Sequence, residues 1–133
     1  MKRRKSRFED LDCWKAGREV RLFVARRIVP ELPAEERYRL GDQIIRSARS
    51  VTANLAEGYG RFHYRDEAKF ISNSRGSLQE TLDHLITAHD EGIINDEKLQ
   101  EAQELIDNAL ALINGYRAYI IRRSKEPTQP PIA

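Results

Sequence analysis

Apolar residues recur every three or four positions along almost the whole chain, and no segment alternates apolar with polar residues as a strand would. That periodicity restricts the fold to packed helices. The first stripe runs Leu11, Trp14, Gly17, Val20, Val24, Ile28. Pro30 and Pro33 end this helix and open the next, with Glu35 and Glu36 in a first turn that favours acids. Leu40, Ile44, Ala48, Val51 and Leu55 form the second stripe, broken by Gly58 and Gly60. The third and longest runs Tyr64, Ala68, Ile71, Leu78, Leu82, Leu85, with Arg75 and His89 on the same stripe, and Gly92 closes it. Asn95 is a good N-cap for the fourth, which carries Leu99, Ala102, Ile106, Ala109, Ile113, Tyr116 and Ile120. Acids early in that helix and arginines late in it complement the helix dipole.

Short connections make consecutive helices antiparallel, so the expected fold is an all-α, up-down-up-down four-helix bundle. The expected organisation is a basic disordered arm over residues 1–7, a bundle over 8–124 and a disordered proline-containing tail over 125–133. Leu105, Leu112 and Tyr119 widen the apolar face of the fourth helix. Either a second contact surface or a wide face buried within one bundle accounts for them.

Charge is unevenly distributed. Lys2, Arg3, Arg4, Lys5 and Arg7 place five positive charges in the first seven residues, and the remainder carries 18 basic against 21 acidic residues. A short basic arm suits phosphate backbones or an acidic membrane surface, or is simply a solvated end. No apolar run approaches the roughly 18 residues that span a bilayer, so no membrane partner is expected. The basic N-terminus lacks the apolar segment of a signal peptide. With Cys13 the single cysteine, these features point to the cytoplasm.

The stretch from Ser50 to Glu80 departs from a plain bundle by setting charged and amide side chains beside core positions. Asn54, Glu57 and Arg61 are spaced to share one helix face, and Arg75, Ser77 and Glu80 lie on the next, antiparallel helix. Two arginines and two carboxylates can neutralise each other across that helix pair. The set is then a structural network that fixes register, or else a binding cluster.

These blocks carry a resemblance. Phe8-Glu9-Asp10-Leu11-Asp12-Cys13-Trp14-Lys15 opens it, and Leu40, Gln43, Arg46, Ser47, Ala48, Ser50 and Val51 continue it. Asn54-Leu55-Ala56-Glu57-Gly58-Tyr59-Gly60-Arg61 is its strongest part, followed by Phe70, Ser74-Arg75-Gly76-Ser77 and Glu80. From Phe8 to about Ile121 the chain resembles the bacterial four-helix-bundle proteins encoded in intervening sequences of 23S ribosomal RNA genes. The resemblance implies a left-handed bundle, assembly into a homopentamer and no enzymatic activity. A related branch is the accessory protein of diversity-generating retroelements, whose basic pentamer partners a reverse transcriptase. The near-neutral body of this chain sets it apart from that branch.

Other motifs carry less. Gly58-Tyr59-Gly60 follows a helix and lacks the Lys-Ser/Thr pair of a phosphate loop, so it reads as a helix C-cap and turn. Gly76 lies inside a helix, where close helix approach would justify it. Glu80 and His84 share a face, but a carboxylate-bridged centre needs two such sets on facing helices, and His63 and His89 do not complete one. No metal or cofactor is expected. Cys13 reads as a packed small apolar residue and Trp14 as a core or interface anchor.

Arginines on the first two helices are diluted by neighbouring acids. Around one loop, however, Tyr59, Phe62 and Tyr64 flank Arg61 and Arg65, an interleaving that suits RNA. Two readings follow: a non-enzymatic oligomer that binds RNA or other nucleic acid through Lys2, Arg3, Arg4, Lys5, Arg7, Arg61 and Arg65, or a pentameric scaffold that docks a protein partner.

Overall fold

The computed structural model describes residues 6–127. The expectations for Lys2, Arg3, Arg4, Lys5 and residues 128–133 lie outside them. Four long helices carry the fold: α1 (Asp12–Phe23), α2 (Leu40–Tyr59), α3 (Tyr64–Asp90) and α4 (Asp96–Ser124). Each neighbouring pair is antiparallel, because partner numbers fall on one helix as they rise on the other. On α2 and α3, Ser47, Ser50 and Val51 meet Thr81, Ser77 and Ser74. On α3 and α4, Ser72 and Arg75 meet Arg117 and Asn114. At the far end of the α1–α4 contact, Glu31 and Arg27 meet Lys98 and Glu101. The architecture is therefore the antiparallel up-down-up-down bundle that the periodicity predicts.

Val20, Val24, Ile28, Ile44, Val51, Leu55, Ile71, Leu78, Leu85, Ile106, Ile113 and Ile120 fill the interior. These are aliphatic side chains at helical spacing, and their removal from water is the main stabilising term. Asn95 caps α4 as expected, its Oδ1 accepting from the Lys98 amide at 2.9 Å. Gly92 takes a left-handed φ of 73° just past the end of α3, which a residue with a Cβ adopts only with strain.

Two sequence expectations change. The first helix does not run unbroken to Ile28. It passes into a wide π-helical turn over Val24–Ile28 and then a tight turn over Val29–Glu31. Pro30 has no N–H for the Arg26 carbonyl, so the regular ladder ends there. The acids Glu35 and Glu36 belong to a single helical turn, Ala34–Arg37, and α2 starts afresh at Leu40. Buried Leu32 packs where Gly41 leaves room, which holds the break in place.

The buried face of α3 also differs. It passes through Glu67, Ile71, Ser74, Leu78, Thr81, Leu85 and Ala88. Arg75 and Tyr64 are exposed, while Ala68, Leu82 and His89 are half-buried. Three polar side chains thus hold core positions that the apolar pattern assigned to their neighbours.

Candidate functional site

The α2–α3 connection, Gly60 to His63, stands at one end of the bundle, and the chain enters the bundle at the same end. Ser6 Oγ lies 2.8 Å from the Tyr59 hydroxyl, which donates to the Ser6 carbonyl at 3.0 Å. Arg7 pairs with Glu9 at 2.9 Å. Ser6 and Arg7, at the end of the predicted arm, are therefore tied to the bundle. The first described residues thus lie at the end of the bundle that carries the Arg61–Arg65 loop.

The two arginines of that loop are placed differently. Arg61 reaches back to Glu57 at 3.1 Å and lies 4.5 Å above the Phe70 ring. Arg65 is exposed and has no ion pair or side-chain hydrogen bond among the described residues. Arg123, from the last turn of α4, joins them. It lies over the rings of Tyr64 (5.3 Å) and Tyr119 (5.9 Å) and donates to the Tyr64 hydroxyl at 3.2 Å. Phe62, His63, Tyr64, Arg65, Arg123, Ser124, Glu126 and Pro127 line an open cleft of about 640 Å³. Sequence reading missed Arg123, because only folding returns the end of α4 to the α2–α3 loop.

Charge follows the same polarity. Among the described residues, the half of the bundle formed by 6–19, 51–76 and 112–127 holds 11 basic and 8 acidic residues. The half formed by 20–50 and 77–111 holds 8 basic and 13 acidic. The chain is therefore a bundle with one basic and one acidic end, which linear charge counting conceals.

The predicted polar network takes another form. Glu57 and Arg61 pair along one helix, both about half-exposed. Arg75 donates to Asn114 Oδ1 on α4 at 2.8 Å, and Glu80 meets His84 at 3.1 Å. Among the described residues no ion pair joins Glu57 or Arg61 to Arg75 or Glu80. Asn54 and Ser77 do come together, through Ser50. Asn54 Nδ2 donates to the Ser50 carbonyl and hydroxyl, and Ser77 Oγ lies 2.9 Å from Ser50 Oγ.

The polar link between α2 and α3 is thus a seam of hydroxyls. Thr81 Oγ1 lies 2.8 Å from Ser47 Oγ, and Ser74 donates to the Val51 carbonyl at 2.7 Å. Small side chains that hydrogen-bond locally let the two backbones approach, whereas charged ones carry their heads outward into water. Gly58 marks a close approach: a Cβ there would sit 2.9 Å from Phe70 Cβ and 3.2 Å from the Glu67 carbonyl oxygen. Gly76 has nothing within 4 Å of such a Cβ, so close helix approach within the chain does not account for it.

One carboxyl does lie inside the bundle, and the sequence did not mark it. Glu67 is 5% exposed and accepts a 2.5 Å hydrogen bond from the Tyr116 hydroxyl. Burial raises the Glu67 pKa above the ordinary carboxylate range, partly offset by the Tyr116 bond. Tyr116 is raised as well, by burial and by the carboxylate beside it. Burial also pushes the nearby Cys13 thiol up to about 11, so it is a protonated, unreactive packing group. A heptad register through Ile71, Leu78 and Leu85 is the signal that would have placed Glu67 inside.

Between α1 and α4 lies a shallower groove of about 430 Å³, lined by Leu11, Cys13, Ala111, Leu112, Gly115 and Tyr116, with the carboxylates Asp10 and Asp12 beside them. Leu105 and Leu112 are half-buried against the core, so part of the wide face of α4 is used within the bundle. Tyr119 stays 42% exposed and stacks on Tyr116. No helix among the described residues is long and apolar enough to cross a membrane. Among the same residues no group of three or more His, Cys, Asp or Glu side chains is placed to hold a metal ion.

A four-helix bundle with a hydroxyl seam, one basic end and an open apolar groove is the class of protein the geometry defines. The family model described as 23S rRNA-intervening sequence protein matches residues 9–115 of the chain. The chain belongs to that family, as the resemblance in its second and third helices implied. No curated protein matches it.

Proposed function

We propose that this protein is a non-enzymatic homo-oligomer, a homopentamer, that binds RNA or another nucleic acid at its basic end in the cytoplasm. The observation that carries the reading is the Ser6–Tyr59 contact. It holds Ser6, at the end of the arm, on the end of the bundle that carries Arg61, Arg65 and Arg123, and we assign arm and loop to one ligand. We assign residues 1–7 to that arm, 8–124 to the bundle and 125–133 to a tail.

Assembly multiplies the effect. In a closed ring every protomer points the same way along the axis, so five basic ends share one face and five acidic ends the other. Phosphate backbones meet an attractive surface on one side only. The groove between α1 and α4 supports the assembly, since its leucines and Gly115 offer an apolar, low-relief surface that a second copy can cover.

Light scattering checks the oligomer: five times the 15.4 kDa of one chain is expected, and a concentration-independent monomer mass refutes it. Retention of structured RNA at low ionic strength, falling steeply with added salt, checks the ligand, because each phosphate contact releases counterions. Deleting residues 1–7 is expected to lower both the affinity and the salt slope while the bundle stays folded. If the full-length protein retains no RNA at low salt, the oligomer is instead a scaffold for a protein partner.

A further inference from the structure

We propose that Phe62 is a stacking platform for an unpaired base, which makes single-stranded nucleic acid the ligand class of the basic end. The proposal rests on the reading of that end as a nucleic-acid interface and adds the kind of strand it takes. Phe62 is 95% exposed, the most exposed of the large apolar side chains, and the fold makes no use of it. Its one aromatic neighbour among the described residues is His63, edge-on at 5.3 Å, which leaves a ring face open. The loop that carries it joins two helices locked together by the Ser47–Thr81, Ser50–Ser77 and Ser74–Val51 bonds, so the ring is displayed from a rigid base.

The surroundings match a nucleotide. Phe62 borders the cleft that also holds Arg65, Arg123 and Ser124. Arg123 is already oriented by the Tyr64 and Tyr119 rings, and Arg65 is unpaired among the described residues. Guanidinium groups take phosphate oxygens, and an aromatic face takes a base of any identity. A duplex hides both faces of every interior base in its stack and offers a ring only its two ends, so a strand with unpaired bases along its length is the form that uses the ring. Glu126 lies 3.6 Å from Arg123 Nε, where a phosphate would sit, and an incoming strand must displace it.

Fluorescence anisotropy with a labelled oligouridine and a blunt RNA duplex of the same length, on the full chain at low salt, tests the assignment. The oligouridine is expected to bind more tightly than the duplex. Phe62→Ala should weaken oligouridine binding roughly 5- to 100-fold for a stacked base and leave duplex binding unchanged. Phe62→Trp should retain affinity, and Glu126→Gln should tighten it. Unchanged thermal melts of the Phe62 variants will confirm that they are folded. Equal binding of both RNAs, or a silent Phe62→Ala, overturns the stacking assignment alone. Failure to retain either RNA overturns the basic-end reading and this proposal with it.

Discussion

Between α2 and α3 the contact is made by hydroxyls and a glycine; between α1 and α4 it is made by larger apolar side chains that leave a groove open. The first pairing closes on itself. Ser47, Ser50, Ser74, Ser77 and Thr81 find partners within the pair, and among the described residues no buried side-chain nitrogen or oxygen lacks a hydrogen bond. The second pairing relies on ion pairs at its far end, a close one between Glu31 and Lys98 at 2.9 Å and a longer one between Arg27 and Glu101 at 4.0 Å, and on leucines only half-covered near the start of α1. A close-packed seam specifies register, whereas an open apolar groove leaves surface for another chain.

The sharpest way to break this contrast uses two glycines. Gly58→Leu forces a side chain against Phe70 Cβ and the Glu67 backbone, neither of which is a flexible end. A loss of about 3 kcal/mol or more in chemical denaturation is expected, at the upper end of overpacking. A change under about 1 kcal/mol would mean that the seam is not tight. Gly115→Ala, in the groove, meets nothing within 4 Å. It should stabilise the folded chain by up to about 1 kcal/mol through helix propensity. The same change should weaken assembly, measured by analytical ultracentrifugation, if a second copy covers the groove.

Glu67 tests the junction of the bundle's buried face with α4. Its folded-state pKa is raised, so the unfolded chain releases this proton first as pH rises. The stability tied to the protonated group is complete below the ordinary carboxylate pKa and is lost as pH climbs through the raised folded value. Glu67→Gln keeps an acceptor for the Tyr116 hydroxyl and removes the ionisation. The variant should melt above the wild type at pH 8, with the gap closing towards pH 4. Parallel melting curves across that range would argue against a buried ionising carboxyl.

Smaller effects separate the seam from the exposed charges near it. Thr81→Val conserves shape and removes the hydroxyl that meets Ser47, for an expected loss of about 1 kcal/mol by urea unfolding. Glu57→Ala breaks a half-exposed pair within one helix and should cost at most about 1 kcal/mol. A buried cross-helix network would have raised that to about 3–5 kcal/mol, so a large loss here would restore the network of charges.

The contrast between Thr81 and Glu57 marks how far the sequence alone reached. It located the polar block between Ser50 and Glu80 but picked its charged members, because paired charges are the conspicuous way to satisfy a buried polar site. The structure uses the short hydroxyls instead. Ser74 and Thr81 alternate with Ile71, Leu78 and Leu85 at heptad spacing, yet a search for apolar residues slides past them to Ala68 and Leu82. At the basic end, Arg61 and Arg65 were legible beside their aromatic neighbours, but Arg123 was not.

The sequence by itself determined four helices, their antiparallel order, the Asn95 cap, the Gly92 turn and the family, because periodicity and capping act between residues close in the chain. Only the tertiary structure decided which face of α3 turns inward and why Gly58 tolerates no Cβ. It also decided that Glu67 meets Tyr116, and that Ser6, the Arg61–Arg65 loop and Arg123 share one end. Those relations depend on the rotation and register of packed helices. Burial and hydrogen bonding across elements set both, through terms that no local pattern contains.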